Sequence, residues 1–232
     1  MASATPAGLK RFYLLLALVA AAGVAALALL FRPSPVSIPA NVTVQAADTA
    51  GFRGYVVGRA DAPIEVTEYG DYQCPACASF DAVQLPDVKQ RLVETGRVRF
   101  RYRDFPLDGH KHSRLAAHAA ACADEQGKYW EAHAKIYETQ GSWSPRPEAA
   151  GAMRGLMKEL GLDLGAYDAC MTSAKYAGRI QASYQEAVAS GVNSTPTFLI
   201  GGRLYPGALP YDQIRKVVDS LAGATAPAPA AN

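Results

Sequence analysis

The sequence predicts an α/β fold in which a strand leads into a helix, a second strand follows, a helical block intervenes, and a hairpin and a last helix close the domain. Three observations predict it. Two-residue alternation marks residues 64–69 and 97–103 as strands, and strand character returns only after Gly191. Between Ser113 and Gly191 the patterns are helical. Finally, Cys74-Pro75-Ala76-Cys77 stands where the first strand ends and its helix begins, and the other elements are ordered around that junction.

Ahead of the domain, Lys10-Arg11 precede an uncharged apolar run over residues 12–31. About twenty apolar residues cross the hydrocarbon core as a helix, and the paired positive charges favour leaving residues 1–11 in the cytoplasm. A cleaved signal peptide is the alternative, but its apolar part is usually only about 7–15 residues and ends at a small-x-small site. Ala26-Leu27-Ala28 has that form yet lies inside the run, and Ile38-Pro39-Ala40 fits poorly, so length favours an uncleaved single-pass anchor. Both readings send the rest of the chain outside the cytoplasm. Residues 32–50, with Pro33, Pro35 and Pro39, read as a spacer, and the Ala-Pro stretch 222–232 as an unpacked tail. The folded domain is expected over 51–221; a chain of 232 residues, half of them hydrophobic, can hold one sizeable core. A net charge of +2 with dispersed basic residues gives no reason to expect nucleic acid as a partner.

In chain order, residues 54–58 read as a short edge strand. Residues 64–69 are the stronger strand, with Ile64, Val66 and Glu68 on one face and Glu65, Thr67 and Tyr69 on the other. A helix from Cys74 runs to about Thr95 with a kink near Pro86, and Gly96 is its C-terminal cap. In the next strand Val98, Phe100 and Tyr102 alternate with Arg97, Arg99, Arg101 and Arg103; the arginine row reads as a wet or ion-paired face, a solvated one being the plainest account. Residues 113–122, 128–139, 149–160, 164–171 and 174–190 give five helices, a helical subdomain over 113–191. Residues 197–200, Gly201-Gly202 and 203–205 form a hairpin, and residues 211–221 a helix with Ile214, Val217, Val218 and Leu221 on one side.

The cysteine spacing carries the chemistry. On a first helical turn, residues three apart share a face, close enough for two sulfurs to form a disulfide. The unpaired N–H groups and the positive end of the helix dipole there favour a Cys74 thiolate, and Pro75 falls where its missing N–H costs nothing. Half of a zinc site is the competing reading. It lacks partners, because Cys122 and Cys170 stand alone and no histidines pair at ligand spacing. His110, His112, His118 and His133 read as loop or core residues.

Cys74-Pro75-Ala76-Cys77 at a strand-to-helix junction, with Asn193-Ser194-Thr195-Pro196-Thr197-Phe198 opening the later hairpin, resembles the thioredoxin fold. The helical insertion between its halves is similar to the DsbA-like thiol:disulfide oxidoreductases, and Gln126-Gly127-Lys128-Tyr129-Trp130-Glu131 is similar to their membrane-anchored branch. The resemblance covers about residues 51–221. It implies an α/β thioredoxin fold with an inserted helical subdomain, and a thiol–disulfide exchange enzyme that needs no cofactor. Cys74 is then the sulfur that a substrate thiolate attacks, and Cys77 the one that leaves. The resemblance further implies a cis Pro196 against the cysteines and a Thr195 whose backbone pairs with an incoming peptide as an added strand. It also makes Glu68 a buried acid that relays a proton to Cys77, whereas the strand pattern alone leaves Glu65 equally able to face inward. Ala76 departs from the family: strongly oxidising members have His there and reductive thioredoxins have Gly-Pro between the cysteines, so an oxidant below the family's extreme is expected.

The implied partners are reduced or unfolded exported proteins as substrates and a membrane protein that reoxidises the enzyme, the chain itself acting as a monomer at the membrane. Outside the cytoplasm Cys122 and Cys170 are expected to form a structural disulfide, as similar second pairs do in some members of the family. Two alternatives stay open. One is a reductase or isomerase of the same fold, the other a thioredoxin-fold binding protein without redox chemistry.

Overall fold

The computed structural model describes residues 6–30 and 36–225, in two units that part at Pro35. In the first unit α1 (Pro6–Leu30) is one helix, as its Leu and Ala content favours. Its stretch Gly8–Leu27, 20 residues of mean hydropathy 1.7, is long and apolar enough to cross a membrane. Phe31, the expected end of the run, lies outside the described residues.

The second unit is built on one sheet of β1 (Tyr55–Val57), β2 (Ile64–Gly70), β3 (Val98–Asp104), β4 (Thr197–Ile200) and β5 (Arg203–Pro206), in the order β1-β3-β2-β4-β5. β2 and β3 are parallel, with Val66 opposite Phe100 and Glu68 opposite Tyr102. The other pairs are antiparallel, β4 and β5 as the hairpin turning at Gly201-Gly202. β2 is thus central, and its end is flanked by a strand from each half of the fold. Val66, Phe100, Phe198 and Ile200 pack with Phe80, Leu85, Val88 and Leu92 and with Ile214 and Val218 of the last helix.

The helix expected from Cys74 to Thr95 is three pieces: α3 (Pro75–Val83), α4 (Leu85–Val88) and a π-helical turn over Lys89–Val93. Pro86 has no N–H to continue the ladder and its ring clashes with the preceding turn, so the helix restarts at Gln84. The cap holds. Gly96 has φ +74°, and the Arg97 N–H reaches back to the Leu92 carbonyl at 3.0 Å.

Between β3 and β4 lie six helices where five were expected: α5 (Ser113–Asp124), α6 (Tyr129–Glu138), α7 (Gln140–Trp143), α8 (Ala150–Glu159), α9 (Leu164–Thr172) and α10 (Ala177–Ala189). The additional one is α7, a single turn too short to leave a periodicity. α5 is buried nearly all round, its alanines letting α6, α8, α9 and α10 pack closely against it. The final helix, α11 (Tyr211–Thr225), continues past its expected end at Leu221. Residues 226–232 of the expected tail lie outside the described residues.

One further expectation is met in its ion-paired form, and another needs correcting. The arginine row of β3 is not simply solvated: Arg99 Nε and Arg101 Nη2 both lie 2.6 Å from Glu65 Oε2, Arg97 pairs with Asp219, and Arg103, only 6% exposed, meets Glu186 Oε2 at 2.5 Å. A carboxylate supplied by a neighbouring strand or by α10 is what allows guanidinium groups to leave water. The spacer, too, is partly folded. Val36 and Ile38 pack against the helical core, and a four-residue helix, α2 (Ala46–Thr49), meets α10 where Gly178 leaves room for Asp48.

Candidate active site

β2 ends at Gly70, where a Cβ would meet the Tyr102 ring at 2.5 Å, so only glycine lets the strand run this close to β3. The loop that follows is tied down by its own side chains. Asp71, 1% exposed, accepts from the N–H of Gln73 (2.7 Å) and of Leu107 (2.9 Å), from the Ser113 hydroxyl, and pairs with His110 Nδ1 at 2.7 Å. Gln73 accepts from the His112 N–H at 2.6 Å and donates to the Ser144 carbonyl at 3.1 Å. Gln140 donates to the carbonyls of Tyr72 (2.8 Å) and Cys74 (3.0 Å). The helical insertion therefore grips the cysteine loop from three sides. An Asp in a strand-to-helix loop is a legible turn signal. Which backbone it holds, 36 residues further on, is not.

Cys74 is the N-cap of α3 and Pro75 its first residue. Cys74 is 6% exposed and Cys77, one turn deeper, 0%; both are free thiols. The Thr195–Pro196 peptide is cis, and the Cys74 thiol donates to the Thr195 carbonyl across 3.4 Å. The chain thus brings Cys74, Cys77, Thr195 and Pro196 into one cluster from positions 121 residues apart.

Hydrogen bonding from the Cys77 thiol, outweighing burial, takes the Cys74 pKa from 9.0 down to about 5, with help from Thr195 and from the N–H groups of Cys77 and Ala76. The Thr195 hydroxyl is buried with no hydrogen-bond partner among the described residues. Cys77 goes the other way. Burial, its hydrogen bond to Cys74 and the nearby Glu68 carboxyl push it well above the ordinary thiol value. One sulfur is set to be an anion and the other to hold its proton.

Glu68 faces inward, 2% exposed, and burial, then Asp81 and Cys74, raise its pKa well above the usual carboxylate range. Glu65 is the outward residue: burial raises it, but Arg101 and Arg99 prevail and hold it low. The inward acid is thus the one near the sulfurs.

Cys122 and Cys170 are joined, with S–S 2.02 Å, between α5 and α9. His118 Nδ1 lies 3.4 Å from Cys122 Sγ and 3.3 Å from Met171 Sδ. With Cys122 and Cys170 bonded to each other, and the Tyr176 N–H donating to Nε2 of His118 at 3.0 Å, this cluster offers a metal ion no thiolate and no unengaged imidazole nitrogen. Burial takes the His118 pKa down to about 4, so it stays neutral.

A thioredoxin family profile matches residues 52–220, nearly the whole second unit. The chain belongs to the thioredoxin family. Among curated relatives, disulfide bond formation protein D of Bacillus subtilis is 25% identical over 171 residues, covering 71% of this chain and 75% of its own length. A Na(+)/H(+) antiporter NhaA 1 of Salinispora arenicola is 32% identical over 174 residues, 75% of this chain, but the chain spans only a quarter of that antiporter's length. The crystal structure of Chlamydia trachomatis DsbA shares the fold at a TM-score of 0.67 and 19% identity, covering 82% of this chain and all of that one. Within the thioredoxin family the chain is DsbA-like, an α/β thioredoxin fold with helices between its two halves.

Proposed function

We propose that the chain is a thiol:disulfide oxidoreductase that acts outside the cytoplasm as an oxidase, donating the Cys74–Cys77 disulfide to exported proteins. The single observation that carries the reading is the placement of the two sulfurs, Cys74 capping α3 at 3.4 Å from the Thr195 carbonyl and Cys77 sealed one turn deeper. A Cys74 pKa of about 5 leaves the reduced enzyme as a thiolate at neutral pH. Stabilising the reduced form makes the disulfide the better donor. The cycle follows from the burial order. A substrate thiolate attacks Cys74 Sγ, the Cys74–Cys77 bond breaks, and Cys77 leaves and takes up a proton; a second substrate thiol then displaces Cys74, leaving a substrate disulfide and a Cys74 thiolate. Glu68, the carboxyl that acts on Cys77, supplies its proton, and Thr195, beside the cis Pro196, offers backbone to the substrate as an added strand.

The proposed layout is an N-terminal cytoplasmic end, α1 as an uncleaved anchor, and a catalytic domain outside. The resemblance to the membrane-anchored branch and the apolar length of α1 support it. Reoxidation falls to a membrane partner, and the domain works as a monomer. The ion transport in the antiporters' name describes chains three-quarters of whose length lies outside the match.

Trapping tests the roles. Cys77→Ser should accumulate substrates on Cys74 as mixed disulfides in non-reducing gels, and Cys74→Ser almost none; equal trapping by both refutes the assignment.

A further inference from the structure

α10 and the stretch that leads into β1 enclose a cleft of about 400 Å³ whose lining shares no residue with the cysteine site. Arg53, Arg103 and Arg179 stand in its wall, Thr49 and Ser183 add hydroxyls, and Glu186 is the one carboxylate among the described lining residues. That carboxylate is already engaged by Arg103. Arg53 and Arg179 form no ion pair among the described residues. Arg179 acts on two carboxyls from beyond ion-pair distance, Asp104 and Asp124, and burial pushes Asp104 up to about 7, which weakens it as a counter-charge.

The uncompensated charge is held in place. Cζ of Arg179 lies 4.1 Å from the centre of the Phe52 ring and 4.3 Å from that of Tyr176, so two aromatic faces orient the guanidinium without neutralising it. The wall also contains donors with nothing to donate to. The Arg103 side chain is 6% exposed and its Nε has no partner, Ser183 is 2% exposed and its hydroxyl has none, and Nε of Arg179 is in the same position. Unpaired buried donors are costly, and one ligand with several acceptor oxygens can relieve more than one of them.

We propose that this cleft binds a phosphate-bearing anion, held by the Arg179 and Arg103 guanidinium groups, with the Ser183 hydroxyl and the exposed Arg53 completing the donors. Three guanidinium groups against one carboxylate leave a surplus of two positive charges, which suits a phosphate better than the single charge of a carboxylate. Free phosphate and the phosphodiester headgroup of a membrane lipid present the same chemistry to these donors. Binding here involves no covalent step and is independent of the roles assigned to Cys74 and Cys77.

The test is calorimetric titration of the full chain in maltoside micelles at fixed ionic strength, with inorganic phosphate in one arm and glycerophosphoglycerol, the water-soluble headgroup of phosphatidylglycerol, in the other. Saturable binding is expected; preference for phosphate identifies a free anion as the ligand, and preference for the diester identifies a lipid headgroup. Arg179→Gln should weaken binding about tenfold or more, as the loss of a charge-assisted contact does. Arg53→Ala, at an exposed position, should weaken it about threefold with the fold intact. Glu186→Gln, which removes the carboxylate competing for Arg103, should tighten it. Absence of saturable binding in both arms overturns the proposal. So does binding of wild-type strength in Arg53→Ala together with no tightening in Glu186→Gln, even if Arg179→Gln fails to fold.

Discussion

Cys74 and Cys77 stand three residues apart and titrate in opposite directions because one caps a helix beside a donor-rich turn and the other is sealed beneath it next to an acid. The sign of the pH effect follows. A thiol whose folded pKa is depressed contributes stability that is fully present above its unfolded value, near 9.0, and lost as pH falls through about 5. At pH 7 the Cys74 shift stabilises the reduced protein by at most roughly 2.7 kcal/mol, less what water screens. Reduced protein should therefore gain stability relative to oxidised protein as pH rises from 5 to 9, measured by urea unfolding of both forms; a difference that does not change over that window contradicts the assignment. Thr195→Val removes a side-chain hydroxyl that helps lower Cys74 and should raise the Cys74 midpoint, read from thiolate absorbance; an unmoved midpoint would show that the hydroxyl does nothing for Cys74. Of this site the sequence itself displays the cysteine pair and the Thr195-Pro196 junction, since local spacing defines both. Asp71, Gln73 and Gln140 escape a sequence reading because each acts on a partner that only the folded chain brings near, Gln140 on carbonyls 66 and 68 residues away.

The elements whose signals are local periodicities lie close to where the sequence puts them: β2, β3, the closing hairpin and the long helices. Elements set by a single residue or by a remote contact do not. Pro86 divides a continuous apolar pattern into α3, α4 and a π turn, and Glu186 on α10 takes Arg103 out of the water that an alternating row of arginines leads one to expect. Gly70 is the strictest position in β2. Gly70→Ala puts a methyl group into the Tyr102 ring and should destabilise the domain by about 1–3 kcal/mol, read as a lower urea midpoint at unchanged slope. A midpoint equal to that of the wild type would mean that the β2–β3 contact is looser than the structure has it.

On the scale of the molecule, the Cys122–Cys170 bond fastens α5 to α9 across 48 residues of sequence, within the helical block that grips the cysteine loop through Gln140, Ser113 and Ser144. The chain-entropy account gives a loop of that length about 4 kcal/mol, so Cys122→Ala with Cys170→Ala should lower unfolding stability by about that amount, less any native strain, while leaving the Cys74 thiolate titration in place. A double variant as stable as the wild type would make the bond structurally idle. The anchor reading has its own check: the N-terminal sequence of the protein isolated from membranes should retain α1, and a start after Ala28 or Ala40 would identify a cleaved signal instead. The central claim, that this DsbA-like chain runs its two sulfurs as a disulfide donor, meets its most direct test in the redox potential from equilibration with glutathione. The account predicts a value well above that of thioredoxin, about −270 mV, and, with Ala76 where the strongest oxidants carry an imidazole, below the roughly −120 mV of DsbA. A potential at or below −270 mV would contradict it and make the chain a reductase with the same fold and the same two cysteines.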